Sequence, residues 1–163
     1  MKPDLHLRRA THVAPAGQWP LRAAIASVTL AFNERHRRRL RMTDDAGEPF
    51  LLDLARPAVL ADGDGLVLES GGVIRVRAAL ESVADISAPT PQEKVRLAWH
   101  VGNRHTPIEV LSNGNIRVRD DPVLVDMLIR LGACVVRRNA AFSPETGAYA
   151  VQDSHESGHQ HNR

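Results

Sequence analysis

The sequence predicts an α+β protein, in which an N-terminal all-β domain is followed by a ferredoxin-like βαββαβ domain and a flexible, histidine-containing C-terminal tail. Short apolar segments separated by turn residues fill the first half, helical periodicity begins only in the second half, and the last residues are almost all polar. We therefore divide the chain into an extension (1–20), an N-terminal β domain (21–80), a ferredoxin-like domain (81–150) and the tail (151–163).

The composition is that of an ordinary globular protein. Of 163 residues, 43% are hydrophobic and 25% are charged, and 21 basic against 19 acidic side chains give a formal net charge of +2. This near-balance gives no argument for nucleic acid as a partner. The single cysteine, Cys134, excludes an internal disulfide and a four-cysteine metal site, and its apolar neighbours favour a buried structural thiol. No run of about 18 apolar residues is present, so we expect a cytoplasmic protein that does not enter a membrane.

The first half has the pattern of a β domain. Residues 1–20 contain three prolines and are predicted to form a loosely ordered extension. Strands are then predicted at 25–32, 37–43, 49–54, 58–60, 66–69 and 73–78, with turns at the Asp- and Gly-rich runs between them. Apolar residues alternate with arginines at 39–42 and 74–77, which favours a half-buried antiparallel sheet.

The second half begins with a strand at 83–87 and a helix. Thr90, Pro91 and Glu93 have the spacing of an N-cap, a first-turn proline and a capping-box glutamate, which predicts that the helix begins at this point. Gly102-Asn103 is suited to ending it. The buried stripe is predicted to contain Val95, Ala98, Trp99 and Gly102.

A hairpin and a second helix complete the βαββαβ order. Asn113-Gly114 is a strong signal for a tight hairpin turn. Asp121 and Pro122 predict the start of the second helix, and Gly132 lies where a helix-terminating glycine belongs. Further strands are predicted at 108–111, 116–119 and 133–138. The buried stripe of the second helix is predicted to contain Leu124, Met127, Leu128 and Leu131.

Histidine is concentrated towards the C-terminus and indicates metal binding. Of the eight histidines, those in the last two-fifths of the chain are His100, His105, His155, His159 and His161. Neutral imidazole suits nickel, copper and zinc, and the sequence alone does not choose among these metals. Because protons compete for the same nitrogen, metal affinity is expected to fall as the pH drops below about 6.5, the ordinary pKa of imidazole.

Several motifs resemble those of the UreE family, the urease accessory proteins that act as nickel metallochaperones. The most specific is Gly102-Asn103-Arg104-His105 at the end of the predicted first helix. The similarity spans nearly the whole chain, and its other segments are 34–42, 62–65, 97–101, 123–128 and 147–149.

This resemblance implies a protein that is not an enzyme but a homodimeric carrier of Ni²⁺, with Zn²⁺ or Cu²⁺ possible at the same site. It implies that His105 of two chains meets at the dimer axis, and that tail histidines complete the metal site: His155, His159 and His161. The implied partners are a urease accessory GTPase and the urease apoprotein complex, with the β domain binding protein partners. Some relatives have a histidine pair where this chain has Asp120-Asp121-Pro122, so their accessory metal site is not expected, although Asp120 still offers an oxygen ligand.

Two other functions fit parts of the pattern. The βαββαβ order is also that of RNA-recognition modules, and the strand at 37–43 is basic, but no aromatic residue lies in 107–119, where RNA bases would stack. A metal hydrolase would require an H-E-x-x-H or Cys/His pattern, which the sequence lacks.

Individual residues also have alternative interpretations. His105 without the resemblance would be read as a surface histidine at a helix end, and the tail histidines as inert residues. His100 is interpreted as a partly exposed structural histidine. The arginine cluster is more typical of a solvated strand face than of a docking surface for a partner, and it contains Arg35, Arg37, Arg38, Arg39 and Arg41.

Overall fold

Residues 7–146 are described by the computed structural model, and their strands form two sheets. The strands are β1 (Arg8–Ala14), β2 (Ala24–Leu30), β3 (His36–Thr43), β4 (Pro49–Val59), β5 (Gly65–Leu68), β6 (Val73–Ala78), β7 (Leu80–Ser87), β8 (Glu109–Val110), β9 (Ile116–Arg119) and β10 (Cys134–Ala141). The α-helices are α1 (Pro91–Asn103) and α2 (Pro122–Arg130), and short 3₁₀ turns occur at Leu21–Ala23 and Phe32–Glu34. Within this part of the chain, neither helix has the length and apolarity needed to cross a membrane.

The N-terminal sheet has six strands in the order β2-β6-β5-β1-β4-β3. It is mixed, because β1 runs parallel to β4 and β2 runs parallel to β6, whereas the pairs β3–β4, β1–β5 and β5–β6 are antiparallel. The predicted antiparallel sheet is therefore wrong for two pairs. Alternation along one strand indicates which face is buried but says nothing about the direction of its neighbours.

Strand β1 lies inside the six-stranded sheet, between β5 and β4, so the prediction of a loosely ordered extension is wrong for residues 8–14. Ala10 has no exposed surface, and Arg8 donates a hydrogen bond of 2.7 Å to the carboxylate of Asp44. The segment has little apolar alternation of its own. It is ordered by strands on both sides, which the pattern of a single segment does not reveal.

The core of the first sheet consists of inward-facing residues of β1 to β6 together with Leu60, which directly follows β4. The members with no exposed surface are Ala10, Phe50, Leu52, Leu60, Leu66, Ile74 and Val76. The strands predicted separately at 49–54 and 58–60 are one strand, β4, whose register against β3 shifts between Arg37 and Arg39. This irregularity interrupts the alternation and explains why the sequence pattern appears as two strands.

Arg35 is buried rather than solvated, so the interpretation of the arginine cluster as an exposed face is wrong at this position. Only 2% of Arg35 is exposed, and its guanidinium donates to the carbonyl oxygens of Leu60 and Phe142. The same guanidinium lies 5.6 Å from the centroid of the Phe32 ring. Arg35 thus holds together segments that are distant in sequence, which no local pattern could show.

The second sheet has the order β10-β7-β9-β8, with the helices α1 and α2 in the βαββαβ connection. This confirms the ferredoxin-like arrangement and the α+β class. Ala84 and Ile86 of β7 lie opposite Val118 and Ile116 of β9, and this face packs against both helices. The helix residues in this core are Leu97, Val101, Leu124, Val125 and Leu128.

The described residues form two compact units. One contains residues 7–82 together with Arg138–Ser143, and the other contains Val83–Arg137 together with residues 144–146. The predicted helix starts are confirmed: the Thr90 hydroxyl accepts from the Glu93 backbone in a capping box, and the Asp121 carboxylate accepts from the Leu124 backbone at 2.8 Å.

The buried face of α1 differs from the prediction. Leu97 and Val101 are buried and Ala98 packs beside them, whereas Val95 is 70% exposed and Trp99 is 61% exposed. Gly102 is exposed as well, and Leu131, predicted on the buried stripe of the second helix, directly follows α2 and is 44% exposed. Helix α1 carries two apolar i, i+4 pairs, and its sequence does not indicate which pair faces the sheet.

Cys134 is exposed, so the prediction of a buried thiol is wrong. It begins β10, which lies at the edge of the four-stranded sheet. The next residue, Val135, packs against the core instead. Side chains alternate between the two faces of a strand, so an apolar neighbourhood in sequence does not bury every member.

We predict that Ala10→Asp destabilises the protein by about 3 kcal/mol or more, or prevents folding, because it buries a carboxylate without a partner. The matched variant is His12→Asp, two residues along the same strand at an exposed position. It should cost less than about 1 kcal/mol. Urea denaturation followed by circular dichroism measures the stability of both variants. Equal losses of stability would contradict the placement of β1 inside the sheet.

Candidate functional site

His105 occupies an unusual backbone position immediately after α1. Its φ is 54°, which makes it the only non-glycine residue with a positive φ in residues 7–146. The His105 amide donates to the carbonyl of Gly102 at 2.9 Å, and the Thr106 amide donates to the carbonyl of Val101 at 3.5 Å. Together with the left-handed conformation of His105, these two hydrogen bonds define a Schellman motif, which closes the end of the helix.

Helix α2 ends in the same motif with a glycine in the corresponding place. Gly132 has a φ of 92°, its amide donates to Ile129 at 3.0 Å, and the Ala133 amide donates to Leu128 at 3.0 Å. Glycine is the usual residue in this position because a Cβ atom is disfavoured in the left-handed region. The chain therefore has a histidine where the backbone geometry favours glycine, at a cost of about 1 kcal/mol.

The imidazole at this position is exposed, and the helix end fixes the backbone that carries it. A residue held in a disfavoured conformation by the surrounding hydrogen bonds is typical of functional sites. The arrangement provides one accessible imidazole, a candidate nitrogen ligand, on a rigid support. A side chain that binds a metal together with ligands from another segment must be both accessible and fixed in position.

A cavity of about 450 Å³ adjoins the residues on either side of His105. Its lining contains Arg104, Thr106, Arg119, Asp120, Asp121 and Leu124. The Asp120 carboxylate accepts from Arg137 Nε at 3.1 Å, and that of Asp121 caps α2. Both carboxylates thus have structural partners, and Asp120 remains a candidate ligand rather than an assigned one.

His100 and Trp99 form a ring pair on α1. Their centroids are 5.0 Å apart and the rings are inclined by 75°, an edge-to-face arrangement. His100 is half-buried, which agrees with its interpretation as a structural histidine. Because Trp99 is mostly exposed, this pair forms part of an apolar surface next to the helix end that carries His105.

Of the four metal ligands predicted from the sequence, the structure describes His105 alone. His155, His159 and His161 lie outside the described residues. Within residues 7–146, no group of three or more His, Cys, Asp or Glu side chains has the geometry to hold a metal ion. His105 is therefore a single candidate ligand in the described part of one chain.

Two features of the site were not predicted from the sequence. The left-handed conformation of His105 has no sequence signal, because glycine is the residue that normally indicates a left-handed helix end and this position holds histidine. The exposed pair Val95 and Trp99 did have a signal, since its i, i+4 spacing repeats that of Leu97 and Val101 on another face of α1.

Comparison with known protein families identifies the family to which this chain belongs. The model of the UreE urease accessory protein N-terminal domain matches residues 7–79, and the model of the UreE C-terminal domain matches residues 81–163. The chain belongs to the UreE family. UreE proteins are urease accessory proteins, so this chain is an accessory chaperone and not an enzyme.

Individual UreE relatives support the same conclusion. The urease accessory protein UreE of Bradyrhizobium sp. (strain BTAi1) is 48% identical over 151 residues, covering 93% of this chain and 72% of the relative. UreE of Bradyrhizobium sp. (strain ORS 278) is 48% identical over 150 residues, covering 92% and 70%. UreE of Rhodopseudomonas palustris (strain BisB18) is 45% identical over 150 residues, covering 91% and 70%.

We predict that His105→Gly raises the free energy of unfolding by about 0.5–1 kcal/mol, because glycine relieves the left-handed strain. The reciprocal variant Gly132→His should lower it by about 1 kcal/mol. A Cβ at Gly132 meets no atom within 4 Å, so backbone conformation alone would cause that loss. Urea denaturation measures both changes, and a stability loss in His105→Gly would contradict the strain.

Proposed function

We propose that this UreE protein is a homodimeric nickel carrier in which His105 of each chain binds one Ni²⁺ between the subunits. The observation that carries the proposal is the exposed imidazole fixed at the left-handed end of α1. Membership of a urease accessory family supports a role in assembling the urease metallocentre. The protein would act in the cytoplasm, where urease is assembled.

A single imidazole binds a divalent ion weakly, and symmetry offers a way to strengthen it. A residue close to a two-fold axis lies beside its own copy, so dimerisation turns one ligand into two. The fixed backbone at His105 would present both rings without further ordering, which lowers the entropic cost of binding.

The exposed apolar pair on α1 supports dimerisation through the ferredoxin-like unit. Trp99 and Val95 are one helical turn apart, and both lie more than half exposed on α1, two residues after which His105 follows. A large exposed aromatic residue is typical of the centre of a protein interface. Burying this pair against its copy would bring the two helix ends together.

We propose that His155, His159 and His161 complete the coordination from the C-terminal segment. Ligands from a different segment can leave the metal one at a time, which suits a carrier that passes its ion to a recipient. Imidazole also binds zinc and copper, and the usual affinity order places copper above nickel. Zn²⁺ or Cu²⁺ would therefore compete for the same site.

The N-terminal β unit would bind the proteins that receive the metal, namely a urease accessory GTPase and the urease apoprotein complex. The two functions would then occupy separate units, with metal binding in one and docking in the other. The division of the described chain into two compact units supports this separation.

The alternative of an RNA-binding module has little support from the sheet. RNA-recognition sheets stack bases on aromatic side chains of their central strands. Strands β7, β8, β9 and β10 contain no aromatic residue. The four-stranded sheet thus has the topology of an RNA-recognition module but lacks the aromatic side chains on which RNA bases stack.

We predict that His105→Ala weakens Ni²⁺ binding by at least about 100-fold, more than the loss of an outer-shell partner would cause. Isothermal titration of the full chain measures this, with about one ion per dimer expected for wild type. His36→Ala, which removes an exposed histidine from β3, should bind as wild type. Truncation after Tyr149 should weaken binding or lower the stoichiometry, and equal binding by all variants would reject the proposal.

We predict that Trp99→Ala weakens the dimer by at least about 100-fold, because each interface would lose two copies of an aromatic anchor. Sedimentation equilibrium measures the dissociation constant. Folding of the variant should be retained, since Trp99 lies outside the core of its unit. An unchanged dissociation constant would place the interface elsewhere.

A further inference from the structure

Strand β3 is an edge of the six-stranded sheet, and within residues 7–146 it pairs with β4 alone. An edge strand presents backbone N–H and C=O groups that can pair with another chain. The strand is also exposed along most of its length, with Met42 its one buried residue. The opposite edge strand, β2, carries no charged residue at all.

The charge on this edge is strongly one-sided. Strands β3 and β4 together contain Arg37, Arg38, Arg39, Arg41 and Arg56, and the single acidic residue Asp53. Asp53 is already shared: it accepts from Arg9 at 2.5 Å and lies 3.7 Å from Arg39. The hydrogen bond from Arg9, with the charges of Arg39 and Arg38 nearby, holds the pKa of Asp53 below its usual range.

The remaining arginines of the edge form no ion pair with an acidic side chain among the described residues. Arg38 and Arg41 are exposed and form no ion pair there, and Arg37 has a buried Nε atom without a hydrogen-bond partner. Beside them, the register shift between β3 and β4 makes residues 55–57 project as an exposed bulge. Bulges of this kind often adjoin binding sites at sheet edges.

We propose that the β3 edge binds an acidic, extended segment of the recipient protein, which adds to the sheet as a further strand. The segment's backbone would pair with β3, and its carboxylates would pair with Arg38 and Arg41. This mode combines main-chain hydrogen bonds for affinity with side-chain charges for selectivity. The inference rests on the proposed docking role of the N-terminal unit and names its surface and the chemistry of its partner.

The same surface does not favour nucleic acid. Binding of single-stranded nucleic acid uses exposed aromatic rings on which bases stack. Phe50, the aromatic residue of β3 and β4, is fully buried. A free backbone edge, moreover, matches the hydrogen-bonding pattern of a peptide.

Fluorescence anisotropy with the full-length protein tests the proposal, using the fluorescein-labelled peptides (Glu-Thr)6, (Lys-Thr)6 and (Glu-Pro)6. The first should bind and the second should not. (Glu-Pro)6 keeps the charge but lacks half of the backbone donors, so it should bind at least about tenfold more weakly. Equal binding of both acidic peptides would overturn strand addition, and tighter binding of labelled oligouridylate than of (Glu-Thr)6 would overturn a peptide partner.

The variant Arg38→Glu/Arg41→Glu should weaken (Glu-Thr)6 binding by at least about tenfold, because the arginine on the face that carries the peptide's glutamates becomes repulsive and the second reversal adds repulsion from the other face. Its matched control is Arg22→Glu/Arg130→Glu, which changes the net charge equally at exposed positions outside β3 and β4 and should bind within about twofold of wild type. Arg38→Gln/Arg41→Gln, which avoids repulsion within the sheet, should give an intermediate loss. Equal weakening by the control would overturn the β3 site.

Nickel binding separates this inference from the proposed function. Arg38→Glu/Arg41→Glu should bind Ni²⁺ as wild type, and His105→Ala should bind (Glu-Thr)6 as wild type. If the protein binds nickel through His105 but shows no preference for (Glu-Thr)6, the β3 inference is wrong and the proposed nickel carrier still stands. If it prefers (Glu-Thr)6 but does not bind nickel through His105, the proposed carrier is wrong and the β3 inference still stands.

Discussion

The end of helix α1 is closed by two backbone hydrogen bonds that require a left-handed residue, and that residue is His105. The candidate site depends on this constraint. The helix fixes the position of the backbone, the Schellman motif fixes its direction, and the imidazole is exposed as a result. Helix α2 satisfies the same requirement with Gly132, which has no side chain to present. The fold thus contains one conventional helix end and one helix end that carries a candidate ligand, at a modest cost in stability.

The rest of the ferredoxin-like unit supports that helix end. Leu97 and Val101 anchor α1 on the sheet through the face shared by Ala84, Ile86, Ile116 and Val118. The opposite side of α1 keeps Val95 and Trp99 exposed. One helix therefore provides a core contact, an apolar surface and a candidate ligand. In the proposed dimer these three features act together, because pairing of the apolar surface brings the ligands of two chains towards each other.

The N-terminal unit has a different physical character. At the β3 edge of its sheet, arginines outnumber the single acidic residue Asp53, while Arg35 is buried and joins distant segments through carbonyl oxygens. Arginines that are close together in sequence thus have different roles. A buried guanidinium stabilises the fold, whereas exposed guanidinium groups on β3 remain accessible to a partner. In the proposed function, docking and metal binding belong to different compact units and can therefore vary independently.

The sequence by itself determined the elements whose signals are local. The capping box at Thr90, the N-cap at Asp121, the glycine at 132 and the Asn-Gly turn each involve residues within a few positions of one another, and the structure places all of them as predicted. The motif ending in His105 likewise identified the family. Tertiary structure alone decided that β1 belongs to the sheet, that two of its strand pairs are parallel, and that Trp99 and Cys134 are exposed while Arg35 is buried. These outcomes depend on which surfaces of distant segments meet, and a local pattern cannot rank one apolar face against another before the partners are known.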